Sequence, residues 1–290
     1  MAKKWFQLSE QGAGEKRLWL SLFLYKIFGE KILRIIAFFV SLSVFLTAKE
    51  RRDASIKFFR HIGKPPIKSS FKQFINYGNA LVDKILAFGG KLKSDDFEID
   101  NNDAFCGSFF ITTHIGNVEI LRAMLDKPNA PRANIFLQTN MCETFNKFLK
   151  QMEIKVNLEV FPVENIDVET SIEISERIKN GEIVFIAGDR ISAQNNNKTY
   201  EAEFLGKKVQ FPLGTLRFAL MLECPIYFAV CVKDKNASDK KFVVYTQKFN
   251  PTSNQKHAKL EELKHDYVAF LEKYTLKYPE QFFNFYDIFQ

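Results

Sequence analysis

The chain has four histidines, and one of them, His114, ends an apolar run in FFITTHIGNVEIL (109–121), five residues before Glu119. An imidazole titrates near neutral pH and is suited to taking a proton from a hydroxyl. If residues 108–113 form a strand and 117–126 a helix, His114 lies at the carboxyl end of a strand, where open α/β sheets bind ligands. Glu119, in the first turns of that helix, is placed to hydrogen-bond one ring nitrogen. A carboxylate there fixes the tautomer and stabilises the imidazolium, leaving the other nitrogen as the base. No Gly-x-Ser-x-Gly elbow accompanies the pair, and none of Cys106, Cys142, Cys224 and Cys231 is an evident nucleophile. Direct deprotonation of a substrate hydroxyl is therefore expected rather than a covalent intermediate. A histidine that merely caps a strand is the competing reading. Zinc would need a third ligand that the spacing does not offer, so neither metal nor cofactor is expected.

Two further stretches carry chemistry. GEIVFIAGDR (181–190) is a second strand ending in charge, Asp189-Arg190. EFLGKKVQFPLGTLRFAL (203–220) brings Gly206, Lys207, Lys208, Gly214 and Arg217 around a turn that enters a helix at 213. Cationic groups and a helix start suit an anionic group or a developing oxyanion. Each part also has a plain explanation as a strand end, a hairpin or a helix cap.

Positioning these residues requires a sheet. Apolar runs of strand length (108–113, 133–137, 158–163, 182–187, 225–232, 241–247) alternate with helical stretches (117–126, 142–151, 167–179, 213–223). Such alternation predicts an α/β fold with a mostly parallel central sheet flanked by helices. Thr170 and Glu173 have the spacing of a capping box for the 167–179 helix, and Gly181 closes it. A last helix is expected at 257–277, followed by the aromatic tail YPEQFFNFYDIF. Gln194–Lys198 reads as a flexible loop.

Helical texture dominates 15–92, with breaks at Gly63-Lys-Pro-Pro66 and Gly89-Gly90. Residues 1–93 carry 18 Lys/Arg against 6 Asp/Glu, a net of +12, whereas the remainder carries −5. The division expected is 1–93, a basic, helical membrane-associating region, and 94–290, an α/β catalytic domain. A basic surface points to an anionic partner: nucleic acid, an acidic carrier protein or a membrane face. The apolar stretches Leu18–Phe28 and Ile35–Leu46 favour the membrane over nucleic acid. Only 14 uncharged residues separate Arg34 from Lys49, fewer than the roughly 20 of a span. An interfacial or re-entrant helix fits better, with Lys26, Lys31 and Arg34 at head-group level. A pair of ordinary core helices is the alternative. The cysteines lack metal spacing and read as buried thiols of a reducing compartment, which puts the chemistry on the cytoplasmic side.

His114-x4-Glu119 at a strand end, Gly181-Glu182 leading to Asp189-Arg190, FLGKKVQFPLGTLRFA and YPEQFFNFYDIF occur in an order that resembles the lysophospholipid acyltransferase superfamily. The likeness is greatest to its lipid A biosynthesis (late, lauroyl/myristoyl-type) branch and covers roughly residues 15–290, including ERRDAS (50–55). The resemblance implies transfer of an acyl chain from a thioester donor, acyl carrier protein or acyl-CoA, to a hydroxyl of a lipid or glycolipid acceptor. The expected setting is the cytoplasmic face of the inner membrane. His114 would be the general base and Glu119 its orienting partner, with Asn117, Asp189, Arg190, Gly214 and Arg217 on the substrate side. The chain departs from the pattern at three places. Leu213 stands where glycerolipid acyltransferases have the acidic residue of Phe-Pro-Glu-Gly-Thr. Asp189-Arg190 and FFNFYDIF replace the Asp-Gln and the Arg-rich ending common in late lipid A enzymes. A glycerolipid-type lysophospholipid acyltransferase, or a catalytically silent membrane-binding module of the same fold, are the alternatives.

Overall fold

A computed structural model describes residues 15–100, 104–118, 120, 121, 123, 130–138, 142, 157–191, 198–236 and 238–289. Within them three helices, α1 (Glu15–Thr47), α2 (Lys49–His61) and α3 (Pro66–Phe88), precede the sheet. Strands follow as β1 (Phe97–Ile99), β2 (Phe109–Gly116), β3 (Ala133–Leu137), β4 (Leu158–Pro162), β5 (Ile183–Ala187), β6 (Thr199–Phe204), β7 (Lys207–Pro212), β8 (Ile226–Val232) and β9 (Phe242–Lys248). The later helices are α4 (Val168–Lys179), α5 (Gly214–Met221) and α6 (Lys256–Lys277).

Seven strands form one mixed, mostly parallel sheet in the order β1-β9-β8-β2-β5-β3-β4, with β8 and β9 its antiparallel pair. The expected α/β class is what the chain adopts. β2 is central, parallel to both β5 and β8. Its apolar run is continuous because both faces are covered, as in buried parallel strands. Alternate residues serve opposite layers. Phe109 and Ile111 join Val184, Ile186, Phe228 and Val230 in a core shared with α5, α6, the β6–β7 hairpin and the chain's end. Phe110 joins Phe185, Tyr227 and Ala229 in a second core that includes Leu33, Val82, Ile85 and Leu86 from α1 and α3. Packing is thus continuous across residue 93, where only the composition changes.

The helical N-terminal third has two details that the sequence did not announce. Gly29 (φ 73°) kinks α1. A 90° bend at Ala48 separates α1 from α2, and among the described residues no single helix is long and apolar enough to cross a membrane. α1 and α3 pack closely, since a Cβ on Gly78 would lie 2.2 Å from Ser41 Oγ. Arg34 donates to Asp83 (2.7 Å), Asn79 (3.2 Å) and Glu30 (2.9 Å). Its guanidinium therefore braces α1 against α3 instead of standing free at a surface. Lys233, just after β8, reaches the same buried Asp83 at 2.6 Å, so the helices are bolted to the sheet. Lys31 is exposed, and the side chain of Lys26 lies outside the described residues.

Several local expectations need correction. The cap of α4 is Asp167, whose side chain accepts from the Thr170 N–H at 2.8 Å; Glu173 instead pairs with Arg177. Gly181 does close that helix, at φ 87°. Of the segment expected as a helix at 117–126, the described residues Val118, Ile120, Leu121 and Ala123 take a 3-10 conformation. The 142–151 helix lies outside the described residues apart from Cys142, as does the loop up to Asn197. Cys142 and Cys231 are buried, but Cys224 is only half-buried and Cys106 is exposed.

Candidate active site

β2 runs three residues beyond the expected strand end, and its register against β8 slips between Thr112 and Gly116. Gly116 makes the slip possible. At φ 69° it occupies the left-handed region, and a Cβ there would lie 1.9 Å from Cys231 O. The irregularity re-aims His114, as bulges beside functional sites commonly do.

β5 ends alongside β2, and Gly188 leads to Asp189. The carboxylate of Asp189 accepts the His114 backbone N–H at Oδ2 (3.0 Å) and lies 2.7 Å from the ring Nδ1 at Oδ1. The Asp189 side chain is 0% exposed and that of His114 is 34% exposed. Burial alone would push the Asp189 carboxyl up. The charge and hydrogen bonds of His114, with the charge of Arg190, outweigh it and hold Asp189 below the ordinary value of 3.8. An ionised carboxylate only accepts, so Nδ1 carries the proton and the neutral ring presents Nε2 as a base. Nε2 has no hydrogen-bond partner among the described residues. His114 is therefore a half-exposed base backed by a fully buried acid.

A rigid floor supports this pair. Tyr267 of α6 donates its hydroxyl to Thr112 O at 2.9 Å, and burial keeps that hydroxyl protonated by pushing it well up. Tyr267 comes so close that a Cβ on Gly188 would meet its hydroxyl at 2.9 Å and Ile111 Cγ2 at 2.7 Å. The chain's end closes the other side: Ile115 bridges Phe282, and the Phe283 N–H donates to His114 O at 2.9 Å.

The residues read from sequence divide into two groups. His114, Asp189 and Arg190 come together, but Asp189 serves as the orienting acid of His114 and not as an open substrate contact. Glu119, expected in that orienting role, lies outside the described residues; Asp189 occupies Nδ1. Arg190 donates from Nε to Asn284 Oδ1 (2.9 Å) and from Nη2 to Phe283 O (2.7 Å). Asn117 donates from Nδ2 to Ala80 O of α3 (2.8 Å), and its N–H to Cys231 O (2.7 Å). Its side-chain nitrogen thus holds β2 against α3, away from the substrate role expected for it.

Gly214 and Arg217 are exposed at the start of α5. Thr215 Oγ1, 3.4 Å from Ala187 O, ties that helix to the end of β5. A Cβ on Gly214 would meet nothing within 4 Å, leaving its surroundings open. Sequence reasoning missed Tyr267, Asn284 and the pairing role of Asp189. Polar Asn284 inside an aromatic tail was the available signal for one of them.

Covalent catalysis by Cys224, just before β8, or by Cys231 within it is disfavoured by burial, which pushes Cys224 up to about 11 and Cys231 higher still. Among the described residues no group of three or more His, Cys, Asp or Glu side chains is placed to hold a metal ion. No protein-family model matches the chain, and no curated protein matches it significantly.

Proposed function

We propose that the chain is a membrane-associated O-acyltransferase that moves a fatty acyl group from a thioester, on acyl carrier protein or coenzyme A, to a hydroxyl of a lipid A-type or other glycolipid acceptor. The carrying observation is the half-exposed His114 with Nδ1 on the buried, ionised Asp189. Nε2 removes the acceptor hydroxyl proton, and the oxygen forms a bond to the thioester carbonyl carbon. The tetrahedral adduct then collapses, the C–S bond breaks, and the thiolate takes the proton back from the imidazolium. Asp189 stabilises that imidazolium without itself taking the proton. Gly214 and Arg217, exposed on α5, belong to the acceptor side.

The membrane part of the proposal rests on α1. Ile32, Ile35, Phe39 and Leu46 are exposed at helical spacing along one stripe, beside exposed Lys31. Apolar side chains of that size favour a lipid interface, with a lysine at head-group depth. The working place proposed is the cytoplasmic face of the inner membrane.

Purified full-length protein in detergent, supplied with acyl carrier protein or coenzyme A thioester and glycolipid acceptors, tests the reaction by mass spectrometry of the product. His114→Ala is expected to lower turnover by about 10² to 10⁴, the usual contribution of a general base, and to lower the melting temperature, because the buried Asp189 carboxylate loses its ring partner. Full turnover in His114→Ala would end the mechanism.

A further inference from the structure

His114 sits where the sheet stops holding β2. Pairing with β5 ends at Thr112, and pairing with β8 resumes only at Gly116. Among the described residues, Thr113, His114 and Ile115 thus have no registered partner in either neighbouring strand. Apart from Asp189, which accepts the His114 N–H, the chain's end supplies what those ladders do not. Phe282 bridges Ile115, and the Phe283 N–H donates to His114 O. The height of His114 in the site therefore depends on the register of this tail against β2.

Apolar packing alone fixes that register poorly. Phe282 and Phe283 are adjacent and both buried, so a shift of one residue exchanges one phenylalanine for another. The main-chain carbonyls discriminate better, because each faces a different partner. Glu280 O accepts from Asn76 Nδ2 of α3 at 3.0 Å, Phe282 O from Gln73 Nε2 of the same helix, and Phe283 O from Arg190. Gln73 is wholly buried, and its Oε1 accepts from the equally buried Ser55 Oγ of α2. Phe282 O also accepts the Asn284 N–H at 2.9 Å, so it is satisfied without Gln73. A buried amide and hydroxyl add little net stability over apolar groups of the same shape. Their best-attested use is to specify a register.

We propose that Gln73, with Asn76 one turn further along α3, is a positioning residue that locks the tail in register on β2 and so sets His114 at its working height. That His114 acts as the base rests on the acyl-transfer reading; the register lock does not. Gln73 acts only through Phe282 and Phe283. Because its other bond runs to Ser55, the lock ties His114 to the N-terminal helices as well as to the sheet.

The test uses the full chain in detergent. Ser55→Ala combined with Gln73→Met replaces both members of the buried pair by apolar groups, so the double variant should melt close to wild type. Amide hydrogen exchange, followed by mass spectrometry, should be about tenfold faster in peptides covering 113–116 and 282–285, as loss of one hydrogen bond implies. Exchange in β5 and β8 should be unchanged. Turnover should fall roughly 10-fold to 10²-fold, the scale of an ångström's misplacement, with KM for thioester and acceptor unaltered. Asn76→Ala, at a half-buried position, carries the same readouts if the double variant does not fold. Wild-type exchange in both peptides of the folded variant overturns the lock. Faster exchange spread through β5 and β8, together with a lower melting temperature, would make Gln73 merely structural and overturns it as well. An altered KM with unchanged turnover overturns the positioning of the base. Wild-type protein that transfers no acyl group would sink the acyl-transfer reading alone, with the exchange rates still deciding for Gln73.

Discussion

In α6, Leu263, Tyr267, Val268, Phe270, Leu271 and Tyr274 are all buried, and Tyr267 is hydrogen-bonded two residues from His114. In α1, Ile27, Phe28, Ile32, Ile35, Phe38, Phe39, Val40 and Leu46 stand exposed. The two helices draw on similar apolar residue types and use them differently. The apolar face of α6 is accounted for by the core that supports the site. α1 contributes Leu33 to the sheet's other core, a brace through Arg34, and Phe45 against Phe71 and Phe74, while Ile32, Ile35, Phe39 and Leu46 face outward. A fold alone explains α6. It does not explain α1, because an exposed apolar stripe adds nothing to folding stability and marks a contact surface.

If the site end of the sheet is over-determined, small changes there should be expensive. Gly116→Ala is expected to have the largest effect on stability. It forces a side chain into the left-handed region and a Cβ to within 1.9 Å of Cys231 O. Strain and overpacking together should cost about 3 kcal/mol, read as a lower denaturation midpoint. An unchanged midpoint would mean that the bulge re-forms freely, and the contrast with α1 would lose its rigid half.

Asp189→Asn should have an intermediate effect with a pH signature. The folded Asp189 carboxyl lies below its ordinary value of 3.8, so on acidification the unfolded chain takes up the proton first. Its stabilisation is complete above the ordinary carboxylate value and is lost as pH falls through the depressed one. The amide that replaces the carboxylate would turn a donor toward His114 Nδ1–H or its backbone N–H, costing about 2 kcal/mol at neutral pH. Denaturation measured from neutral pH downward should show the two proteins converging below pH 3.8. A constant gap would contradict an ionised, buried partner for His114.

Much of the scaffold was legible because buried parallel strands read as unbroken apolar runs: 133–137 coincides with β3, and 182–187 and 225–232 are each one residue longer than β5 and β8. The β6–β7 hairpin was legible only as one plain explanation among others, because Glu201, Glu203, Lys207 and Lys208 interrupt it on its solvent side, leaving Tyr200, Phe204, Val209 and Phe211 to face inward. The bend at Ala48 has neither glycine nor proline to announce it. At the site, His114 was found at a strand end because its type and place coincide. Its partner was not, since Glu119 is five residues away in sequence and Asp189 seventy-five. Neighbouring strands of a parallel sheet join distant residues that spacing rules cannot see. Asn284 is a still harder case, because only the threading of the tail between α3 and β2 brings it to Arg190.

The smallest effect on stability is expected on α1, and it should accompany the clearest loss of location. Ile35→Ser, Phe39→Ser and Leu46→Ser remove three exposed apolar side chains from one stripe and touch neither Leu33 nor Arg34. Surface substitutions of this kind change stability by at most about 0.5 kcal/mol each, so the triple variant should melt close to wild type. Its membrane affinity should fall sharply, because each large apolar side chain placed in lipid contributes roughly 1.5–3 kcal/mol. Flotation with vesicles of neutral and anionic lipids separates the two contributions. Wild type should stay bound to anionic vesicles in high salt, since salt screens Lys31 but not the apolar stripe, and the triple variant should be released. Wild type that ignores vesicles altogether, or a triple variant that melts far lower, would return α1 to the ordinary core and erase its difference from α6.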